Sequence, residues 1–237
     1  MALPKLNTPT YELEVPSTDE KIKYRPFLVK EEKILMIAME SKDNGQIVNA
    51  VKDIVSACTF NKLDIASIPM FDVEYIFLNI RAKSVGEVSK LKLLWPDDKK
   101  TYADVEVDLS KGEVQVDGEH TNKIELTDSM GMIMTYPTID SFQEGGIQTI
   151  SASNMLEVVG SCILQIYEDN GEKVFQAKDQ TKKELTEFIE SMNTSQFKQV
   201  QKFFDTMPKL KHTIKVKNPK TKKSSEITLT GLNDFFA

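Results

Sequence analysis

PTYELEVPSTDEKIKYRPFLVKEEKILMIAMES, residues 9–41, decides the fold, because a strand period gives way to a helical one inside it. Apolar or aromatic residues alternate at Tyr11, Leu13 and Val15 and again at Ile22 and Tyr24, with turn chemistry at Pro16-Ser17-Thr18-Asp19 between them. Pro26 ends the second strand, since it brings no N–H to a ladder. From Val29 the period becomes helical: Ile34, Leu35, Ala38 and Met39 share one side, and Lys30, Glu31, Glu32 and Lys33 form an exposed beginning. A hairpin that hands straight over to a helix sets an α+β pattern.

The same plan recurs downstream. Asp43-Asn44-Gly45 caps a second helix with its stripe at Ile47, Val48, Val51, Ile54, Val55 and Cys58, and Ser67-Ile68-Pro69 opens a third that is apolar on several sides and therefore central. Gly86 changes the period. Residues 88–95 and 101–109 alternate as a second hairpin, and short β segments at 113–116, 124–126 and 130–135 extend it into a small antiparallel sheet. Ser151–Asn154 caps a helix through Met155, Leu156, Val159, Ile163 and Ile166, and Asn170-Gly171 turns a short hairpin. Thr181 and Asn193-Thr194-Ser195 open two more helices, an antiparallel pair running to Pro208. A third hairpin, His212–Lys217 with Glu226–Leu229, precedes the terminal Leu232-Asn233-Asp234-Phe235-Phe236.

The predicted class is α+β: an N-terminal β-hairpin and helices (1–85), a central antiparallel β-sheet insertion (86–137), and a C-terminal helical region ending in a β-hairpin (138–237). The last region has the option of packing with the first as one domain.

With 237 residues, 40% of them hydrophobic, the chain can bury a substantial core. A formal charge of −6 argues against a surface built throughout for nucleic acid or anionic membrane, while leaving room for a local basic patch. Cys58 and Cys162 stand far apart in apolar patterns, which suggests neither a disulfide framework nor a metal knuckle and points to a reducing cytosol. Met1–Pro9 lacks a cationic start and an apolar run, so no signal peptide is expected, and no window reaches the length of a membrane span.

Catalytic material is thin. The only histidines, His120 in a polar turn and His212 at a strand start, read as surface residues, and no Gly-x-Ser-x-Gly elbow accompanies them. A hydrolase would need a pocket bringing one of them to a nucleophile. Asp97-Asp98 and Asp169 with Glu172 lack calcium-loop spacing, and Gly145-Gly146 has no following Lys-Ser/Thr to cradle phosphate. No catalytic residue, cofactor or metal is expected.

Two features suggest partners instead. The lysines between Lys209 and Lys223 read first as a solvated or edge-protecting face, with an acidic protein as the next reading and a nucleic-acid-binding regulator as the alternative function. Leu232, Phe235 and Phe236 form an apolar hook that docks on its own core or inserts into a partner. Trp95 at a hairpin tip has the same two readings.

The stretches 9–41 and AKDQTKKELTEFIESMNTSQFKQVQKFFDTMPKLKHTI (177–214), with the closing ITLTGLNDFF (227–236), resemble the baseplate hub subunit family of T-even-type contractile-tailed bacteriophages. The resemblance implies a non-enzymatic subunit or assembly factor of the tail baseplate hub, working by protein–protein binding with other hub or tail proteins. It implies assembly in the host cytoplasm and a place in the virion baseplate. Membrane is not expected as a partner, and nucleic acid is disfavoured.

Overall fold

The opening hairpin forms as β1 (Tyr11–Glu14) and β2 (Lys21–Tyr24), antiparallel, with Tyr11 opposite Tyr24 and Leu13 opposite Ile22. The computed structural model describes residues 6–95, 100, 102–142, 155–218 and 220–236. Its chain divides into two compact units, one built from Met1–Gln115 and Lys209–Ala237, the other from Val116–Pro208.

In the first unit, α1 (Val29–Ser41) and α2 (Asn44–Cys58) pack together, and α2 packs on α3 (Met70–Val85). Asp43 caps α2 as its composition predicts, its carboxylate accepting from the N–H groups of Gly45 (2.8 Å) and Gln46 (3.2 Å). The α2 stripe Val48, Val51, Ile54, Val55 and Cys58 is buried. Helix α3 is the centre of the unit, with Val73, Ile76, Phe77, Leu78 and Ile80 sealed from solvent. A helix apolar on several sides reaches that state only when covered on several sides. The covering elements include the 3-10 turn at Leu109–Lys111, β5 (Glu113–Gln115), β10 (Lys209–Lys217) and α7 (Gly231–Phe236).

The β segments of 88–134 are antiparallel, as the alternation predicts, but they divide among three sheets. β3 (Val88–Leu94) pairs only with β4 (Tyr102–Asp108), burying Leu91, Leu93 and Val107. β5 joins β10 and β11 (Ser224–Thr230), with Gln115 opposite Lys209. β6 (Lys123–Glu125) and β7 (Gly131–Met134) join β8 (Ile163–Glu168) and β9 (Lys173–Gln176) in a four-stranded sheet of order β6-β7-β8-β9. Alternation specifies which face of a strand is buried; it carries no information about which strand lies alongside.

That four-stranded sheet is the floor of the second unit. Ile124, Met132, Met134, Ile163 and Ile166 from the sheet meet Val159, Ile189, Val200 and Phe203 from α4 (Met155–Ser161), α5 (Lys182–Glu190) and α6 (Thr194–Thr206) in one core. Two expectations are corrected here. The helix expected through Ile166 stops at Ser161, and Ile163 and Ile166 lie in β8; Gly160 weakens the helix, the Ser161 hydroxyl donates back to the Val158 carbonyl at 2.8 Å, and β-branched residues follow. The cap expected at Ser151–Asn154 falls outside the described residues. Helix α5 takes α4 rather than α6 as its main helical neighbour, because α5 and α6 each turn an apolar face to the shared core.

Candidate partner-binding surfaces

The apolar residues singled out at sequence level lie inward. Trp95 is 4% exposed, Leu232 6% and Phe235 0%, so the hook and the expected hairpin tip are part of the core in this conformation. The side chain of Phe236 lies outside what is described.

Helix α3 holds α7 at both ends. The Glu74 carboxylate accepts from the Leu232 N–H at 3.2 Å, and the Arg81 guanidinium donates to the Phe235 carbonyl at 3.0 Å and to the Ser89 hydroxyl at 3.4 Å. The Arg81 cation at the carboxyl end complements the helix dipole. Burial pushes the Glu74 carboxyl up to about 7, against the pull of the Leu232 N–H, and Asp234 adds to the rise.

The first-hairpin turn is likewise tied down. Both the N–H (3.2 Å) and the hydroxyl of Ser17 donate to Asp72, a fully buried acid in the first turn of α3. Burial raises the Asp72 pKa, partly offset by those two bonds.

The histidines are integrated into the fold. Thr206 donates its hydroxyl proton to the Lys202 carbonyl at 2.7 Å, so it receives a bond from His120 Nδ1–H at 2.9 Å, and Nε2 accepts from the Tyr136 hydroxyl at 3.0 Å. That tautomer is neutral, in keeping with a pKa that burial lowers against the pull of Asp117. The expected surface histidine is a structural clasp, its ring 5.6 Å from Tyr136 and 5.2 Å from Phe203 between centroids. His212 is half-buried on β10 and also shifted down by burial. Burial pushes the Cys58 and Cys162 thiols up to about 11 and about 12, which keeps both protonated at neutral pH. Among the described residues no group of three or more His, Cys, Asp or Glu could hold a metal ion, and no helix is long and apolar enough to cross a membrane.

A cavity of about 400 Å³ in the second unit is lined by apolar Leu156, Val158 and Leu185 together with Ser141, Ser161 and Lys182. Its Ser161 hydroxyl spends its proton on the Val158 carbonyl.

The surface that stands out is the outer side of α1. Ile34-Leu35-Met36-Ile37-Ala38-Met39 is an unbroken apolar run, and a helix packed on one side buries only a stripe. Leu35, Ala38 and the paired Glu31 turn inward. Val29 (81% exposed), Met36 (57%), Ile37 (54%), Ile34 and Met39 face out, so Ile34 and Met39, expected on the buried side, are corrected to the outer side. Exposed Lys30, Glu32, Lys33 and Glu40 are interleaved with them. Exposed valine, isoleucine and methionine side chains gathered on one helix side suit a protein–protein contact, and methionine adapts to the shape of what it meets. Sequence alone shows the run but not which third of it the core takes.

Comparison with curated proteins and with solved structures gives no match. A family model described as T4 bacteriophage base plate protein matches residues 8–237, which spans both units and nearly the whole chain. The chain therefore belongs to the T4 bacteriophage base plate protein family.

Proposed function

We propose that this chain is a non-enzymatic subunit or assembly factor of the phage tail baseplate hub, acting through protein–protein binding. The observation that carries the proposal is the family match over residues 8–237, and the exposed apolar side of α1 supplies a surface suited to it. Burying Val29, Met36 and Ile37 against a partner would remove from water the apolar side chains the fold leaves out, at about 25 cal/mol per Å² of apolar area. The partners are other baseplate or tail proteins, met in the host cytoplasm during assembly.

The test is affinity capture of the tagged full-length chain from infected cells, beside the Met36→Glu/Ile37→Glu variant. Wild type is expected to recover tail baseplate proteins, and the variant to lose them while remaining folded by circular dichroism. Capture of no tail protein by wild type overturns the proposal. Mass spectrometry of purified virions beside lysate then separates the two roles: a resident subunit appears in both, an assembly factor in lysate alone.

A further inference from the structure

The β10–β11 hairpin carries cations that packing and edge protection leave unexplained. β5 pairs with β10 at Lys209–Lys211, and beyond that point β10 pairs with β11 alone, with Lys215 opposite Glu226 and Lys217 opposite Ser224. Lys215, Lys217, Lys220, Lys222 and Lys223 are exposed, and among the described residues only Lys215 has a carboxylate partner, Glu226 at 3.8 Å. Lys215 and Lys217 lie along the uncovered flank of β10, where lysine discourages stray strand pairing. Lys220, Lys222 and Lys223 stand in the turn, off both ladders, where no edge needs protecting.

The turn is a built frame. The buried Asn218 side chain accepts from the N–H groups of Lys220 (2.8 Å) and Thr221 (3.2 Å), its own N–H donates to the Lys223 carbonyl at 2.9 Å, and its carbonyl accepts from Lys222 N–H at 3.0 Å. Lys222 sits in the left-handed region at φ 62°, uncommon for a residue with a β-carbon. Lys220, Lys222 and Lys223 thus share a backbone tied to Asn218 by these four hydrogen bonds. Beside them, Lys215, Lys217, Ser224, Ser225 and Glu226 line a shallow cleft of about 450 Å³ that offers ammonium and hydroxyl donors.

We propose that the Asn218–Lys223 turn, with Lys215 and Lys217, is a docking site for an acidic polypeptide segment of another protein. That the segment belongs to a baseplate protein rests on the function proposed above. Charge complementarity selects the occupant: the hairpin and its turn are cationic on a chain of formal charge −6, and carboxylates satisfy both the ammonium and the hydroxyl donors. Nucleic acid fits less well, because residues 209–230 contain no Phe, Tyr or Trp to stack bases. The net negative charge of the whole chain also repels a polyanion or an anionic bilayer at long range, whereas a short segment engages the tip alone.

The test is fluorescence anisotropy of a labelled oligo-glutamate peptide, labelled single- and double-stranded DNA, and phosphatidylglycerol vesicles against the full-length protein. Lys220→Glu/Lys222→Glu/Lys223→Glu is compared with the charge-matched control Lys62→Glu/Lys178→Glu/Lys198→Glu. The peptide is expected to bind wild type and the control, and to weaken at least about tenfold on the turn variant and with added salt. Absence of peptide binding, equal loss in both variants, or tighter binding of DNA or vesicles overturns the proposal. The Met36→Glu/Ile37→Glu protein keeps its peptide binding, so failure of the hub reading and failure of this one are told apart.

Discussion

Glu31 and Glu74 are both carboxylates set against a helix, and their surroundings drive them in opposite directions. The Glu31 side chain, 4% exposed, accepts from Arg25 at 3.0 Å and from the Leu28 N–H at 2.7 Å, with Lys30 at 3.3 Å. Burial pushes its pKa up, but the bonds from Arg25 and Leu28 and the Arg25 charge outweigh it, and the net shift is down. Glu31 therefore contributes stability that is present above the pKa of the unfolded chain and is lost as pH falls through the lower folded value. Glu31→Ala leaves Arg25 half-buried with its main anion gone and is expected to lower the unfolding free energy by about 3 kcal/mol in urea titration at pH 7; a loss under about 1 kcal/mol would refute the pairing argument. Glu74, pushed up to about 7, behaves in the reverse sense. Its unfolded form releases the proton first, so the wild type loses stability as pH rises from about 4.5 to about 7. Glu74→Gln, which has no proton to lose, is expected to match wild type near pH 4 and exceed it at pH 8 by up to about 3 kcal/mol, read from thermal or urea unfolding across that range. A pH-independent difference between the two proteins would show that Glu74 does not titrate as described.

At the scale of elements, the amino-terminal caps of helices are the most legible features and the helices' neighbours the least. Thr181 with Glu184 and Asn193 with Gln196 are reciprocal capping boxes, each cap side chain accepting from the third helical N–H and each third side chain bonding back to the cap N–H. Four residues of sequence contain that whole interaction, which is why it can be read without a fold. Thr181→Ala and Asn193→Ala are each expected to cost about 1 kcal/mol, and nearly additively, since each box serves its own helix; chemical denaturation of the two single variants and the double checks both statements. The end of α4, at Ser161, is not legible in the same way, for the opposite reason. Ile163 and Ile166 fit a helical stripe as well as a strand, and β7 on one side with β9 on the other settled the choice. Gly131 in β7 shows how close that packing is: a β-carbon there would run into the Tyr167 hydroxyl and ring and stand 2.5 Å from the Ile124 carbonyl oxygen. The outer side of α1 belongs to the same lesson, because the pattern marked the helix and its packing on α2 chose which apolar residues stay in water.

Across the whole molecule, the first unit is discontinuous in sequence, and the chain leaves and returns to it at paired residues, Gln115 opposite Lys209. In chain order, Val116–Pro208 thus takes the place of the turn that would join β5 to β10. Replacing Val116–Pro208 by an Asn-Gly turn is expected to leave the first unit folding cooperatively, because β5 and β10 would then close as an ordinary hairpin; loss of a cooperative thermal transition in the shortened chain would contradict it. The sequence by itself determined the α+β class, the positions of most helices and hairpins, their caps, and, through its resemblance, the baseplate family that residues 8–237 match. These follow from local periodicity, from turn and cap chemistry within a few residues, and from patterns carried along the chain. Only the tertiary structure decided how the β segments divide among sheets, that Trp95, Leu232 and Phe235 face inward, that His120 is a clasp, and that α1 presents Val29, Met36 and Ile37 to solvent. Each of these depends on which surfaces meet across long sequence separations, and a side chain's periodicity states that it prefers burial without stating against what.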